Sequence, residues 1–393
     1  MKKKILIGLL FYSTLISIKS FAQETKQEEK VVNKKHQDRP EFDDEEERKG
    51  VKFNIVPLPS YDPATKWGVT LLGSITYYPS KGDLVSPPSM SGIGGNYTSN
   101  GSYFAGFFND LYLKEDLWRI NNFGMFGRAN QIYKLSPDPT NADLPLEQAD
   151  VALNVTMFNM MVERKIFSRV YAGLGYIYSG RQTVGRNEES DRLLEANGFG
   201  DDFINTHGLR YSLTYDSRDN VNYPYKGKFV NVRMDQMLGE NSQNIFTADY
   251  RQFFTVGHVS NVIAFQGFGR FISKDGTRDF WSTYGRASEI LQRGYEAGRR
   301  MDRNLVNFQA EYRKETPWLN HKLGFVGSVG IGKVFGSDDE SGMSQSFRNA
   351  EWLPAVSVGA RYRLLPYERM NINVDYACGK DGHMFYFGIS EFF

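Results

Sequence analysis

The feature that most constrains this chain is a two-residue alternation that puts charged side chains on one face and apolar side chains on the other, segment after segment. Asn307, Gln309, Glu311 and Arg313 alternate with Phe308, Ala310 and Tyr312. Arg210, Ser212, Thr214 and Asp216 alternate with Leu209, Tyr211, Leu213 and Tyr215, and Asn231, Arg233 and Asp235 with Val230, Val232 and Met234. Thr247, Asp249 and Arg251 repeat the pattern against Phe246, Ala248 and Tyr250, as do Asn371, Asn373 and Asp375 against Ile372, Val374 and Tyr376. A soluble sandwich would bury the apolar set and expose the charged one. A membrane-spanning wall does the reverse, with apolar side chains against lipid and polar ones inside. Arginines and acids share a face, so a mutually paired, wet interior is expected. In hydrocarbon each unpaired backbone group is costly, so such a sheet is expected to close on its own last strand.

Fifteen such segments, separated by Gly, Asn, Asp and Pro, are legible from residue 67 to residue 393. Bacterial single-chain barrels have even strand counts, so Val51 to Leu58 supplies a sixteenth strand, at an edge that tolerates Pro57 and Pro59. The expected fold is therefore all-β, a transmembrane antiparallel barrel of sixteen strands over residues 51–393. Long connections at 131–149, 183–205, 274–302 and 336–352 are expected outside the cell. Tight ones, such as Lys114 to Leu117 and Pro366 to Glu368, are expected in the periplasm. The last strand is expected to run to the chain end with Phe385, Phe387, Ile389, Glu391 and Phe393 on one lipid-facing side, a pattern suited to an insertion signal. Glu391 is tolerable there only near the membrane interface.

Met1 to Ala22 combines Lys2, Lys3 and Lys4 at its start, an apolar run from Ile5 to Ile18 and small residues before a cut after Ala22, which is the anatomy of a secretory signal peptide. No cysteine follows the apolar run, so a lipoprotein route is not expected; the only cysteine is Cys378. Losing Lys2, Lys3, Lys4 and Lys19 lowers the formal charge from +1 to −3, which is no footprint for nucleic acid. Residues 23–50 carry mixed charge without strand or helix period, so a disordered periplasmic tail or a short solvated helix is expected. His36, His207, His258, His321 and His383 are dispersed, without a metal-binding or nucleophile motif. Neither an enzyme nor a cofactor is expected.

Two stretches carry the functional expectation. The first, Tyr215 to Gly227, contains Asp216, Arg218 and Asp219 followed by Pro224 and Gly227, residue types that stiffen a hairpin and accept backbone N–H groups. The second is Leu291 to Glu296 in the longest connection, with Arg293, Gly294 and Tyr295 at its tip. Above a wide barrel such a loop has room to fold inward, where a buried Arg needs carboxylate partners. Candidates on the polar face are Glu311, Asp249 and Asp235, with Arg313 beside them. An ordinary polar turn and a solvated basic loop are the plainer alternatives.

The Asp/Arg-rich turn ending in Pro224 and Gly227, the Arg293-Gly294-Tyr295 tip, the Glu311-x-Arg313 strand and the terminal Phe393 together resemble the Omp85 superfamily, the BamA/TamA-like surface antigens, over nearly all of residues 51–393. The resemblance implies an inward-folded sixth loop, outer-membrane location, contact with outer-membrane lipid and envelope assembly machinery, and a role in assembly or translocation. It also implies client β-strands or a separate periplasmic protein as partners. Two departures stand out. Residues 23–50 are too short for a periplasmic POTRA repeat, and Gly330 occupies the place of the acid that would receive the loop arginine. A passive or anion-favouring channel, or an accessory barrel, is the alternative function.

Overall fold

The computed structural model describes residues 51–393 except 63–64, 142–143, 201, 240–241, 274–279, 288–289, 296–298, 338–343, 367–368 and 390. The expected signal peptide and charged tail lie outside the described residues. One antiparallel sheet of sixteen strands dominates, with each strand paired to its sequence neighbours. Its strands are β1 Lys52–Asp62, β2 Lys66–Tyr77, β3 Ser89–Thr98, β4 Tyr103–Leu113, β5 Trp118–Leu135, β6 Glu147–Phe167, β7 Val170–Gly185 and β8 Ile204–Asp216. They continue as β9 Gly227–Leu238, β10 Gln243–Val256, β11 His258–Ile272, β12 Asn304–Glu315, β13 Leu323–Phe335, β14 Leu353–Leu365, β15 Met370–Gly379 and β16 Gly382–Ile389.

The two faces of the sheet are inverted relative to a soluble protein. Phe308 and Tyr312 are about half exposed, and so are Val356 and Val358, whereas Asn307, Glu311, Arg313 and Asp375 are buried. Alternation thus selects the polar side chains for the enclosed face, which is the arrangement a hydrocarbon surround demands. β1 forms as the sixteenth strand and pairs with β2 through both Pro57↔Leu71 and Pro59↔Val69. A proline keeps its place in such a ladder only where its nitrogen points away from the partner, so both missing N–H groups face the open edge of β1.

Four expectations change. β5 and β6 extend to Leu135 and back from Glu147, so the connection between them is shorter than the expected 131–149. The extension is stabilised because Tyr133, Leu135, Ala149 and Val151 pack with Leu193, Leu194 and Phe199. Those last residues belong to or follow helix α1, Glu188–Ala196, within a stretch read from sequence only as a loop. Asn187 caps it, its Oδ1 accepting from the Ser190 N–H at 2.8 Å, and the acids of its first turn complement the helix dipole.

The third change concerns the end of the chain. β16 stops at Ile389 instead of running to Phe393. Phe385 is half exposed, as expected, but Phe392 and Phe393 are both buried, and the Glu391 carboxylate bonds Arg361 Nε at 2.7 Å. A charged residue that finds a guanidinium partner on the polar face has no reason to remain on the apolar one, so the chain leaves the strand.

Closure on the last strand also differs from expectation. β1 and β16 are the two ends of the sheet, and among the described residues no ladder joins them. They are neighbours nonetheless: the Trp67 ring lies 4.9 Å from Tyr61 and 5.7 Å from Phe387.

The face assignment makes a quantitative prediction. Val358→Arg places a charge on the exposed apolar side of β14 and should lower stability in lipid vesicles by about 2–4 kcal/mol, while Val358→Leu should be nearly neutral. Equal denaturation midpoints for the two variants would contradict the assignment.

Candidate functional site: a buried charge cluster

The connection between β11 and β12 is a long hairpin. Ser282–Thr283 pairs with Met301–Asp302 at its base, and Arg286–Ala287 pairs with Ile290–Leu291 further out. Arg293 to Tyr295, which follow this outer pair and form the tip read from the sequence, are pressed onto the polar face of the last strands. Gly294 takes φ +89°, and a Cβ there would lie 3.1 Å from Ala355 and 3.2 Å from the Gly379 nitrogen. Only glycine meets both the left-handed backbone and the close approach. Tyr386 of β16 accepts from the Gly294 N–H at 2.9 Å, and the Tyr295 hydroxyl donates to the Pro354 carbonyl at 2.6 Å. Tyr295 stacks edge-on against Tyr284, whose hydroxyl donates to Asn307 at 3.0 Å. Burial pushes the Tyr284 phenol up, so it stays neutral and able to donate.

Arg293 is 1% exposed. Its guanidinium donates to Asp375 at 2.9 Å and to Glu311, and lies 3.9 Å from the centre of the Phe392 ring. Glu311 also accepts from Arg313 Nε at 2.8 Å. Asp375 accepts from Arg361 Nη1 at 3.0 Å, and Arg361 reaches Glu391. Three guanidinium groups therefore meet three carboxylates in one buried network, and charge balance is what makes such burial tolerable. Gly359 provides the space, since a Cβ there would fall 2.3 Å from an Asp375 oxygen.

The hairpin turn after β8 closes the other side of this cluster. Asp216 accepts from Arg218 Nε at 2.9 Å and from Arg119 Nη1 at 3.0 Å. Asp219 accepts from the N–H groups of Tyr225 and Lys226 and from Arg369. Gly227, at φ +109°, has no room for a Cβ, which would sit 2.3 Å from the Ser217 carbonyl oxygen. Pro224 lies between two buried tyrosines that the turn sends inward. Tyr225 donates to Glu315 at 2.7 Å, and Tyr223 and Tyr225 share a buried cluster with Phe253, Tyr386, Phe392 and Phe393. Burial and the carboxylates of Glu391 and Glu315 push the Tyr223 phenol up. Arg313 Nη2 donates to the Phe393 main-chain oxygen at 2.7 Å. Hairpin tip, turn and chain end thus meet in one place.

Of the acids named from sequence, Glu311 receives Arg293. Asp249 instead accepts from Arg251 and Gln266, and Asp235 from Arg210. Asp375, Arg361 and Glu391 were missed as members of the site; the period-two placement of Asp375 signalled the polar face, whereas that of Glu391 pointed to the apolar one. Gly330 is explained by its neighbour: a Cβ there would meet the Gln292 amide at 2.6 Å, so Gln292 fills the space an acid would take.

The Omp85 superfamily domain matches residues 92–393, and the chain belongs to that superfamily of outer-membrane assembly and translocation proteins. Among solved structures it resembles BamA from Haemophilus ducreyi lacking POTRA domains 1–3, at 13% identity and TM-score 0.52, over 87% of this chain and 75% of that one. It also resembles CdiB from Acinetobacter baumannii, at 13% identity and TM-score 0.58, over 86% of this chain and 59% of that one. CdiB from Escherichia coli gives 8% identity and TM-score 0.56, over 87% and 67%. No curated protein sequence matches the chain. The described residues form the sheet and its connections.

Removing the loop arginine should be severe. Arg293→Ala leaves Glu311 and Asp375 with excess buried negative charge and should cost about 3–5 kcal/mol in vesicle unfolding experiments. The added Asp375→Asn change should recover part of that loss; strict additivity of the two losses would show that the pair is not coupled.

Proposed function

We propose that the protein is an Omp85-type outer-membrane barrel that serves envelope assembly or translocation by admitting a client at the seam between β1 and β16. The observation that carries this reading is the seam itself, where two edge strands lie side by side without a ladder. Pro57 and Pro59 remove two donors from the β1 edge, and Gly382 and Gly388 in β16, with Gly379 at the end of β15, loosen the other side. An extended client segment supplies the missing hydrogen bonds by β-augmentation. The Arg293 hairpin, folded into the lumen, braces β12 and β15 while the seam is open. The work is mechanical, with no catalytic step and no cofactor.

The principal alternative is a passive or anion-favouring channel, or an accessory barrel that works with a separate periplasmic protein. The pairing of Arg293, Arg313 and Arg361 with Glu311, Asp375 and Glu391 weighs against a strong anion-attracting field at that level. Phe385, Phe387, Ile389 and Phe393 retain the insertion-signal role in this proposal, with the two terminal phenylalanines exposed only before the chain end docks.

Clamping the seam tests the mechanism. In a Cys378→Ser background, Trp67→Cys and Phe387→Cys joined by a short bismaleimide should abolish envelope assembly while the sheet stays folded. Full activity in the clamped form would sink the proposal. Conductance separates the channel reading: Arg293→Ala should alter the open state in planar bilayers, and an unchanged trace would place the hairpin tip outside the lumen.

A further inference from the structure

The enclosed face of the sheet is not polar throughout. From β8 to β15 it carries Arg210, Asp235, Asp249, Glu311, Arg361 and Asp375, but on β4 to β6 it carries Phe104, Phe108, Phe123, Met125, Met157 and Met161. Parity and hydrogen bonds fix the side. Phe123 and Met125 alternate in step with Arg119, which donates to Asp216, and Met157 and Met161 with Glu163, which accepts from Ser212 and Thr214. Contact with hydrocarbon does not account for these side chains, because they point away from it. We propose that they form a holding site for an extended, unpaired polypeptide segment, which lays its apolar side chains on the inner wall of β1 to β6 before it joins the sheet. The proposal rests on the assembly reading for where the segment comes from, and on the inner wall alone for where it lies.

The register makes the patch continuous. One row across six strands reads Val56, Leu72, Gly94, Gly106, Met125 and Met157, without a polar side chain. At about 4.8 Å between strands it spans roughly 24 Å, the length of about seven extended residues. The next row places Phe108 opposite Phe123. Glycines on neighbouring strands let the apolar groups lie flat. A Cβ on Gly92 would fall 2.5 Å from the Phe108 ring, one on Gly127 2.5 Å from the Phe104 ring, and one on Gly175 3.1 Å from the Met161 sulfur. The result is a level apolar surface over the backbone, with Phe123 40% exposed upon it. An apolar patch of this extent on a face that is otherwise polar marks a place where something binds.

Three features select a polypeptide as the occupant. The row begins at Val56 on β1, the edge strand at the seam, so the patch is continuous with the place where a client segment pairs. Met125, Met157 and Met161 are unbranched and polarizable, which suits varied side chains arriving in turn rather than one rigid ligand. The Asn159 Oδ1, opposite Phe123 within the patch, has no hydrogen-bond partner among the described residues. A backbone N–H of an arriving segment satisfies that oxygen, whereas an acyl chain leaves it orphaned.

Fluorescence anisotropy of a labelled peptide on the full protein in nanodiscs tests the site. The probe is a peptide of about twelve residues, a little longer than the row, that alternates Leu and Asn; a peptide with Ser in place of Leu is the control and dodecanoate the competitor. The parent should bind the probe saturably and the control not at all. Met125→Glu combined with Met157→Glu, which charges the row at a lumen position where charge is tolerated, should weaken binding about tenfold, and Phe123→Ser should weaken it in the same direction. Phe126→Leu, on the outer face of the same strand, should behave as the parent. Heat-modifiable gel migration verifies that each variant is folded. Binding should be the same in the form clamped between Trp67→Cys and Phe387→Cys, so assembly by the clamped form would end the seam reading and leave this site standing. Absence of probe binding by the parent, or equal binding by the parent and both inner-face variants, would overturn the proposal. Displacement of the probe by an equal concentration of dodecanoate would overturn it too, by making the occupant an acyl chain.

Discussion

Hydrocarbon on one side of a sheet leaves charged side chains a single place to go, and once they are gathered there they must neutralise one another. Burying an ion is costly unless its partner is equally well placed, and a cluster with one charge too many is worse than none. The network of Arg293, Glu311, Arg313, Arg361, Asp375 and Glu391 meets that condition with three charges of each sign. No single strand supplies it. Its members come from β12, β14 and β15, from the tip of a hairpin and from the segment after β16, so the network can exist only when those parts are assembled.

This dependence gives the hairpin tip its mechanical meaning. Gly294 and Tyr295 bind the last strands through backbone and hydroxyl groups, and Arg293 draws Glu311 and Asp375 toward a common point. The chain end completes the packing, with Phe392 under the Arg293 guanidinium and Phe393 held by Arg313. Beside this reinforced region the β1 edge is paired on one side only, with two prolines along it. A stiff wall next to a weak seam is a sensible arrangement for a protein whose proposed task is to open there and remain folded.

Much of this architecture was legible in the sequence because period-two alternation reports directly on which face is enclosed. β10 and β14 appear where the pattern put them, and the edge strand with Pro57 and Pro59 forms as the even count required. The need of a buried guanidinium for an acid pointed to Glu311, Asp249 and Asp235 alike, and of these Glu311 meets Arg293. What the pattern could not convey was cross-chain geometry. Asp375 and Glu311 are far apart in sequence, and only the sheet register brings both to Arg293. The final residues misled for a related reason: Phe385, Phe387 and Phe393 share a parity, but parity holds only while the strand continues, and the pull of Arg361 on Glu391 ends it. Helix α1 was missed because a short capped helix inside a polar loop leaves little periodic trace.

In the proposed mechanism the Arg293 network reinforces the strands next to the seam and thereby couples hairpin tip, chain end and edge. Amide hydrogen exchange of the parent and Arg293→Lys, both folded in nanodiscs, tests that coupling most directly, because lysine keeps the charge and loses the two-pronged geometry. Arg293→Lys should speed exchange in β15, β16 and the hairpin tip, with β3 to β7 unchanged. Exchange that is identical in the two proteins, or faster uniformly around the sheet, would contradict it.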